Sequence, residues 1–228
     1  MKTAIFDIDG TLLRGSSERM FWRFLFRRRR QGPRQILSYL LFMVRYVPIG
    51  GVHTVKKNKA YLCGLDVADV EALAREFVQT ELLAELHAPS VERLKRHLAR
   101  GDRVILMSGT LQPIARALAD HLGVAHAWAT LAHERDGRYT AVAPEAHPFD
   151  TGKLVLARQI AAAYEFDLAQ AVAYGDSRHD LPLLHAVGEP VAVRPDGTLL
   201  ATAERLGWEV LPDAVALPFS KAQRSRYP

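Results

Sequence analysis

DIDGTLL, residues 7–13, follows at once on the apolar run Ala4, Ile5 and Phe6. Asp7 and Asp9 stand one residue apart, and Gly10 and Thr11 come next. Two like charges this close repel each other, and a turn out of a strand needs only one Asp and the glycine. The doublet asks for a cation, for acid–base chemistry, or for both. A turn or a helix cap is the plain structural alternative, since Asp favours each.

Working outward, short apolar runs recur at 104–107, 125–128, 172–174 and 191–193. Helical patterns lie between them at 113–121, 153–164, 181–186 and 199–206. Strands apolar at successive positions and separated by helices predict an α/β fold, a doubly wound parallel sheet of Rossmann-like form covered on both faces. Such a sheet binds ligands outside the carboxyl ends of its strands. Residues 132–140 depart from this rhythm, because Asp136 and Gly137 sit between segments that can pair as a hairpin. Residues 14–86 depart further. Phe21, Phe24 and Leu25, and again Val70, Leu73, Ala74 and Phe77, recur at helical spacing. The pattern predicts a helical cap over residues 14–86, inserted after the first strand, on a core built from residues 1–13 and 87–228.

The 228 residues are 49% hydrophobic, enough for one sizeable core and a smaller appendage. The net charge of +5 admits anionic small molecules, membrane surfaces or nucleic acid. Cys63 is the single cysteine. It excludes an intramolecular disulfide, fits a reducing compartment and reads as a small buried hydrophobe. The N-terminus carries no signal-peptide pattern. The longest apolar stretch, bounded by Ile36 and Ile49, contains Arg45 and Pro48 and falls short of the ~20 residues of a spanning helix. A cytoplasmic protein is the expectation.

Four pieces then fall where strands should end. They are Asp7-x-Asp9-Gly10-Thr11, Ser108-Gly109-Thr110, Lys153 at a helix start, and Gly175-Asp176-Ser177-Arg178-His179-Asp180. A parallel sheet brings all four to one edge. Asp7, Asp9 and Asp176 offer oxygens to a hard cation, few enough that waters and a substrate oxygen complete the shell. That is a Mg²⁺ pattern more than a Ca²⁺ cage. Ser108, Thr110 and the Gly109 amide can donate to phosphate oxygens, and Lys153 adds a fixed positive charge. A carboxylate placed there can attack phosphorus to give an aspartyl phosphate. A second can protonate the leaving oxygen and then activate water.

DIDGTLL, LMSGT, Lys153 and GDSRHDLPLL together resemble the four motifs of the haloacid dehalogenase-like (HAD) phosphatase superfamily. The SGT motif, the helical insert and GDS-x-x-DLP-x-L resemble its phosphoserine-phosphatase-like branch. The likeness runs over residues 2–184. It implies a Mg²⁺-dependent hydrolase of a small-molecule phosphomonoester, such as an amino-acid or amino-alcohol phosphate. It makes Asp7 the nucleophile and a metal ligand, and Asp9 the general acid/base with its backbone carbonyl on the metal. Asp176 becomes a metal ligand. Asp180 would orient the metal's waters or Lys153. Thr11 would orient the first loop, and Ser108 and Gly109 would bind the phosphoryl group. Thr11, Thr110 and His179 are further candidate substrate contacts, His179 being as well suited to a solvated position. Lys153 would neutralise the phosphoryl group and hold Asp7. The phosphoserine enzymes carry a Glu nine residues after the nucleophile, where this chain has Ser16. Glu18 is out of step, and His179 replaces an Asn, so the organic group stays open.

Other readings accompany these. The arginines Arg27, Arg28, Arg29 and Arg30 are a solvated face, or, with the stretch from Ile36 to Ile49, a weak membrane-surface contact that presents a lipid phosphate. That stretch could instead pack inside the cap or against a second subunit. Nucleic acid is disfavoured, because no aromatics interleave the run. A non-catalytic phosphate- or membrane-binding module is the rival class, against which stands the full set of catalytic positions. His147 and His185 read as structural. Asp180 also suits the N-cap of the helix carrying Pro182, and Thr110 or Gln112 the cap of the helix near Pro113.

Overall fold

The computed structural model describes residues 1–51 and 54–212; residues 213–228, assigned above to the core, lie outside them. The chain opens with β1 (Thr3–Phe6), followed by α1 (Ser17–Arg27), α2 (Pro33–Gly50), α3 (Thr54–Lys57) and α4 (Val67–Thr80). Then come α5 (Ala88–Ala99), β2 (Arg103–Leu111), α6 (Gln112–Leu122), β3 (His126–Thr130), β4 (Glu134–Arg135) and β5 (Arg138–Tyr139). The remainder is α7 (Thr151–Ala163), β6 (Val172–Gly175), α8 (Leu181–Leu184), β7 (Glu189–Val193), α9 (Gly197–Leu206) and β8 (Glu209–Leu211). Six strands form one sheet in the order β3-β2-β1-β6-β7-β8, every neighbouring pair parallel.

Side chains alternate across each strand, and the two faces bury different cores. Ala4, Phe6, Val104, Leu106, Val172, Tyr174, Val191 and Val193 face α5 and α6. Ile5, Ile105, Met107, Ala173 and Ala192 face α7, α8 and α9. Burial on both faces explains why these strands read as unbroken apolar runs. The strand order reverses between β1 and β6, and a crevice opens at their carboxyl ends.

The local differences from expectation have identifiable causes. The strand expected at 104–107 runs on to Leu111, past an irregularity after Met107, because Leu111 pairs with Thr130. The strand expected at 125–128 lies two residues later at its far end. The residue before α6 is Leu111, with no side-chain cap, so neither Thr110 nor Gln112 caps this helix; Gln112 instead bonds Ala127 O and Ala129 N. The helix expected at 181–186 is four residues long, after a 3-10 turn at Arg178–Asp180. Asp180 precedes it without capping it, its carboxylate being held elsewhere. β8 went unread because it is short and exposes Glu209 and Val210.

Residues 17–85 are helical wherever they are regular. Phe21 and Phe24 of α1 pack on Phe77 of α4, with ring centroids 5.3 and 5.5 Å apart. α2 buries Phe42 but exposes Ile36, Leu37, Leu40, Leu41 and Val44. Among the described residues, no helix is long and apolar enough to cross a membrane. The arginine run is a solvated face, partly neutralised, and nothing among the described residues supports a lipid contact. Arg27 bonds Glu81, Arg28 pairs with Glu76, and Arg30 lies 3.7 Å from Asp69. The carboxylates of α4 take up these charges and tie α1 to it.

Two features join this helical insert to the sheet. Its entry and exit run side by side, with Arg14 N donating to Glu85 O at 2.9 Å and His87 N to Leu12 O at 2.8 Å. The β4–β5 hairpin, predicted from Asp136-Gly137, forms with both residues at positive φ, the two-residue turn this dipeptide favours. It reaches over to the insert: Gly64 N donates to Tyr139 O, Tyr139 N to Leu65 O and Val67 N to Gly137 O, at 2.8, 3.0 and 2.9 Å.

Candidate active site

Asp7 is the first residue beyond β1, and its amide donates to Tyr174 O of β6 at 3.1 Å. The next residues coil tightly, Leu12 N and Leu13 N both donating to Ile8 O. Gly10 makes this coil possible. Its φ is +83°, and a Cβ there would lie 2.2 Å from Asp176 Oδ2, so only glycine lets the first loop and the β6 loop close on each other. Gly175, at the end of β6, similarly admits Asp180, whose Cβ would lie 2.5 Å from an added Cβ.

Lys153, in the first turn of α7, is buried and bonds Asp7 Oδ1 at 2.8 Å and Asp180 Oδ1 at 2.5 Å. The other oxygen of Asp180 accepts from the amides of Asp176 and Ser177, both at 3.1 Å, and from the Ser177 hydroxyl. Asp180 is thus a bracket between Lys153 and the β6 loop. Carboxylate oxygens of Asp7, Asp176 and Asp180 lie within 4.8 Å of one another. Three carboxylates face one ammonium. Burial pushes Asp7 up to about 6 against the pull of Lys153. Burial and then the Asp7 charge push Asp176 up to about 8. Lys153 stays charged, because Asp180 and Asp7 outweigh the burial that disfavours its ammonium. An all-oxygen donor set with two negative charges in excess fits a hard divalent cation.

Asp9 does not join this cluster. Its Oδ1 accepts from Ser17 N at 2.9 Å, so the carboxylate sits at the N-terminus of α1. Burial raises its pKa, and the Ser17 hydrogen bonds oppose the rise. A side-chain metal ligand at Asp9 is therefore not what the geometry favours; its backbone carbonyl remains available for that part. Ser17 Oγ in turn bonds Thr110 Oγ1 at 2.6 Å, which anchors α1 to the end of β2.

A cavity of about 460 Å³ covers this edge and is lined by Asp7, Asp9, Gly10, Ser108, Gly109, Lys153, Asp176, His179 and Asp180. Two expected substrate contacts are missing from it. Thr11 is fully buried beneath the loop that Gly10 turns, and its hydroxyl has no hydrogen-bond partner among the described residues. Thr110 is buried and spent on Ser17. His179 does reach the cavity, with Nδ1 bonded to Asp150 Oδ2 at 3.0 Å. Asp150 also caps α7 by accepting Thr151 N at 2.8 Å.

The cavity also holds residues that sequence reasoning passed over. His147, read above as structural, lines the cavity. Its Nδ1 lies 2.7 Å from Thr130 Oγ1, whose proton goes to Gly109 O at 2.6 Å. Nδ1 therefore carries the proton, and the buried Nε2 is an acceptor without a partner among the described residues. Burial, then the charges of Lys59, Lys57, Lys56 and Lys153, push His147 down to about 3. The insert adds Arg19 and Lys56 at the mouth. Lys59, also in the insert and fully buried, pairs with the cavity-lining Glu18. No motif announces these residues. Asp150 alone had a legible signal, as an N-cap before the Lys153 helix. A larger cavity of about 720 Å³ at the amino ends of β6, β7 and β8 contains none of the site residues.

Comparison with known proteins agrees with this geometry. The chain is 31% identical over 213 residues to the phosphoserine phosphatase SerB1 of Mycobacterium tuberculosis, spanning 91% of this chain and 69% of that one. It is 30% identical over 217 residues to a histidinol-phosphatase of Neisseria meningitidis, spanning 91% and 97%. A protein of unknown function from Bordetella pertussis superposes with a TM-score of 0.79 at 30% identity, over 94% of this chain and all of that one. Residues 4–185 match the family of haloacid dehalogenase-like hydrolases. With the sheet order, the Asp7–Lys153–Asp180 bracket and the three-carboxylate cluster already in place, the chain belongs to that family, in its phosphoserine-phosphatase-like branch.

Proposed function

We propose that the protein is a Mg²⁺-dependent phosphatase that hydrolyses a small phosphomonoester through an aspartyl phosphate on Asp7. The observation that carries this is Lys153, buried and bonded at once to Asp7 and Asp180 beside Asp176. Asp7, Asp176 and Asp180 would hold the cation, which supplies positive charge for the phosphoryl oxygens when bound. Ser108 and Gly109, at the end of β2, hold the phosphoryl group. Lys153 fixes one Asp7 oxygen and balances charge at the phosphoryl group. An Asp7 oxygen attacks phosphorus, and the ester oxygen leaves with the proton of Asp9. Asp9 then takes a proton from the water that attacks the phosphorylated Asp7, which releases inorganic phosphate. Asp180 positions Lys153, and His147, through Thr130, positions the Gly109 peptide.

Residues 14–86 act as the cap on a core of residues 1–13 and 87–228, of which 213–228 lie outside the described residues; the isolated antiparallel bridge between Leu13 and Leu86 supports the division. The cap contributes directly to the acid/base, since Ser17 holds Asp9. An amino-acid phosphate finds little support in it. Such a substrate needs a carboxylate for its ammonium, and Glu18, the one acidic residue the insert gives the cavity, is neutralised by Lys59.

Acid quench during turnover of an aryl phosphate with Mg²⁺, followed by mass spectrometry, should find a phosphoryl group on the peptide containing Asp7. Turnover that persists in Asp7→Asn, or a quenched enzyme free of phosphoryl group while turning over, would sink the mechanism.

A further inference from the structure

A second cavity, of about 370 Å³, opens between α1 and α2. It meets the catalytic cavity at a seam, since Ser16, Glu18, Arg19 and Lys56 line both. The two spaces adjoin along these four residues, and the line from one to the other starts at the first residues of α1 and follows that helix outward. Trp22 stands six residues beyond Ser16, about 9 Å along the axis.

The chemistry changes along this path. The seam is cationic: Arg19 and Lys56 are exposed at it, and the Glu18 carboxylate is taken by Lys59. From Arg14 to Lys59, Glu18 is the sole acidic residue in the sequence. Beyond the seam no charged residue lines the cavity, and Trp22, Ile36, Tyr39, Leu40 and Val55 form its walls. Of the polar residues there, the buried Tyr61 hydroxyl has no hydrogen-bond partner among the described residues, and the amides are already committed. Gln31 donates to Tyr61 O at 3.1 Å, and Gln35 to Cys63 O at 3.0 Å. Asn58 donates to Tyr39 O and accepts from Ala60 N, both at 3.0 Å. A hydroxylated or charged body entering this space would lose its water and find few partners, whereas an apolar one loses nothing. The exposed walls on α2 are unexplained by packing, and the seam joins them to the reaction site.

We infer that this cavity binds the organic group of the substrate, and that this group is an apolar chain carrying a terminal phosphate. The inference rests on the phosphatase reading above and names the class of ester it acts on. The phosphate enters between Arg19 and Lys56 and reaches Asp7, while the chain lies along α1 against Trp22 and Ile36.

A series of linear alkyl phosphates, from ethyl to octyl and kept below micelle formation, tests it on the full chain with Mg²⁺, alongside O-phosphoserine. The ratio kcat/KM should rise about two- to fourfold per added methylene, the value of burying one. The rise should flatten in Trp22→Ala and in Ile36→Gln. Both residues are 42% and 48% exposed, so the variants should fold; thermal melting checks this. A series that is hydrolysed but flat, or in which O-phosphoserine exceeds octyl phosphate, overturns the inference and leaves the phosphatase reading intact. A flat series whose variants also change sedimentation assigns the cavity to a second copy of the chain and equally overturns it. Hydrolysis of no ester, with no phosphoryl group on Asp7, removes both readings together.

Discussion

The carboxyl edge of the sheet and the helical insert above it solve opposite problems. At the edge, charge is concentrated. Asp7 and Asp180 close on Lys153, and Asp176 presses against Gly10 with no room for a Cβ. In the insert, charge is dispersed or cancelled. Arg27 and Arg28 are paired with α4, Lys59 with Glu18, and the cavity wall facing α2 is apolar. The edge is costly to assemble without a cation and rigid in its geometry. The insert is held by ordinary packing and surface pairs. A reaction demands the first; a choice of substrate needs only the second.

Removing the Asp7 carboxylate should separate the two regions most sharply. Asp7→Asn should lose at least ~10⁴-fold in turnover, while its melting temperature in the metal-free state holds or rises. A steady-state assay with a melting curve reads both. A folded Asp7→Asn protein that still turns over would dissolve the distinction.

Asp9 lies where the regions meet. Asp9→Asn should cost ~10²–10⁴-fold in kcat. Because Ser17 N would still find an amide oxygen, circular dichroism should show an intact insert. Loss of helix in that variant would make Asp9 a structural strut of α1 instead.

The tension at the edge should appear in pH. Asp7 and Asp176 titrate near 6 and 8 in the folded protein, above the ordinary carboxylate value of 3.8. The folded protein therefore holds more protons than the unfolded chain. The stability conferred by these groups is full below pH 3.8 and is lost as pH rises through about 6 and then about 8. Metal-free protein should melt progressively lower across that window, and Asp176→Asn should flatten the upper half of the fall. Mg²⁺ should raise the melting point most at the alkaline end. A flat profile without metal would mean that the cluster carries no such strain.

Gly10→Ala should cost about 1–3 kcal/mol of stability for its backbone conformation alone. It should also weaken Mg²⁺ dependence by pushing Asp176 aside, readable as a higher metal concentration at half activity. The smallest effect belongs to the insert surface. Arg27→Ala breaks an exposed pair with Glu81 and should change stability by no more than about 1 kcal/mol, with kcat unmoved. A larger loss would show that the α1–α4 pairing, and not the Phe21–Phe77 packing, holds the insert together.

The two regions also differed in how plainly they could be read. Asp7, Lys153, Asp176 and Asp180 were legible because their chemistry requires those residue types at strand ends, and the alternation of strand and helix says where strands end. The parallel sheet was legible because burial on both faces leaves continuous apolar runs. Thr11 and Thr110 were misplaced: a motif gives a residue's neighbours but not which way its side chain points, and both turn inward. That His147 lines the cavity could not be read, because it lies in an irregular loop with no period to place it. The arginine run reads as a solvated face with lipid contact as the alternative; its partners, Glu76, Glu81 and Asp69, could not be read because they lie some forty or more residues on and their approach depends on how α1 and α4 cross.

The hairpin at Asp136 and Gly137 has a consequence for how ligands come and go. Its three backbone hydrogen bonds to Gly64, Leu65 and Val67 stitch the insert to the core, beside the first turn of α2, where Arg34 lies against Gly64. Each is worth ~0.5–1.5 kcal/mol, so the insert cannot swing off as a lid without tearing the stitch. On the inference above, the substrate's chain lies between α1 and α2, and the seam at Arg19 and Lys56 is then a doorway with a fixed lintel.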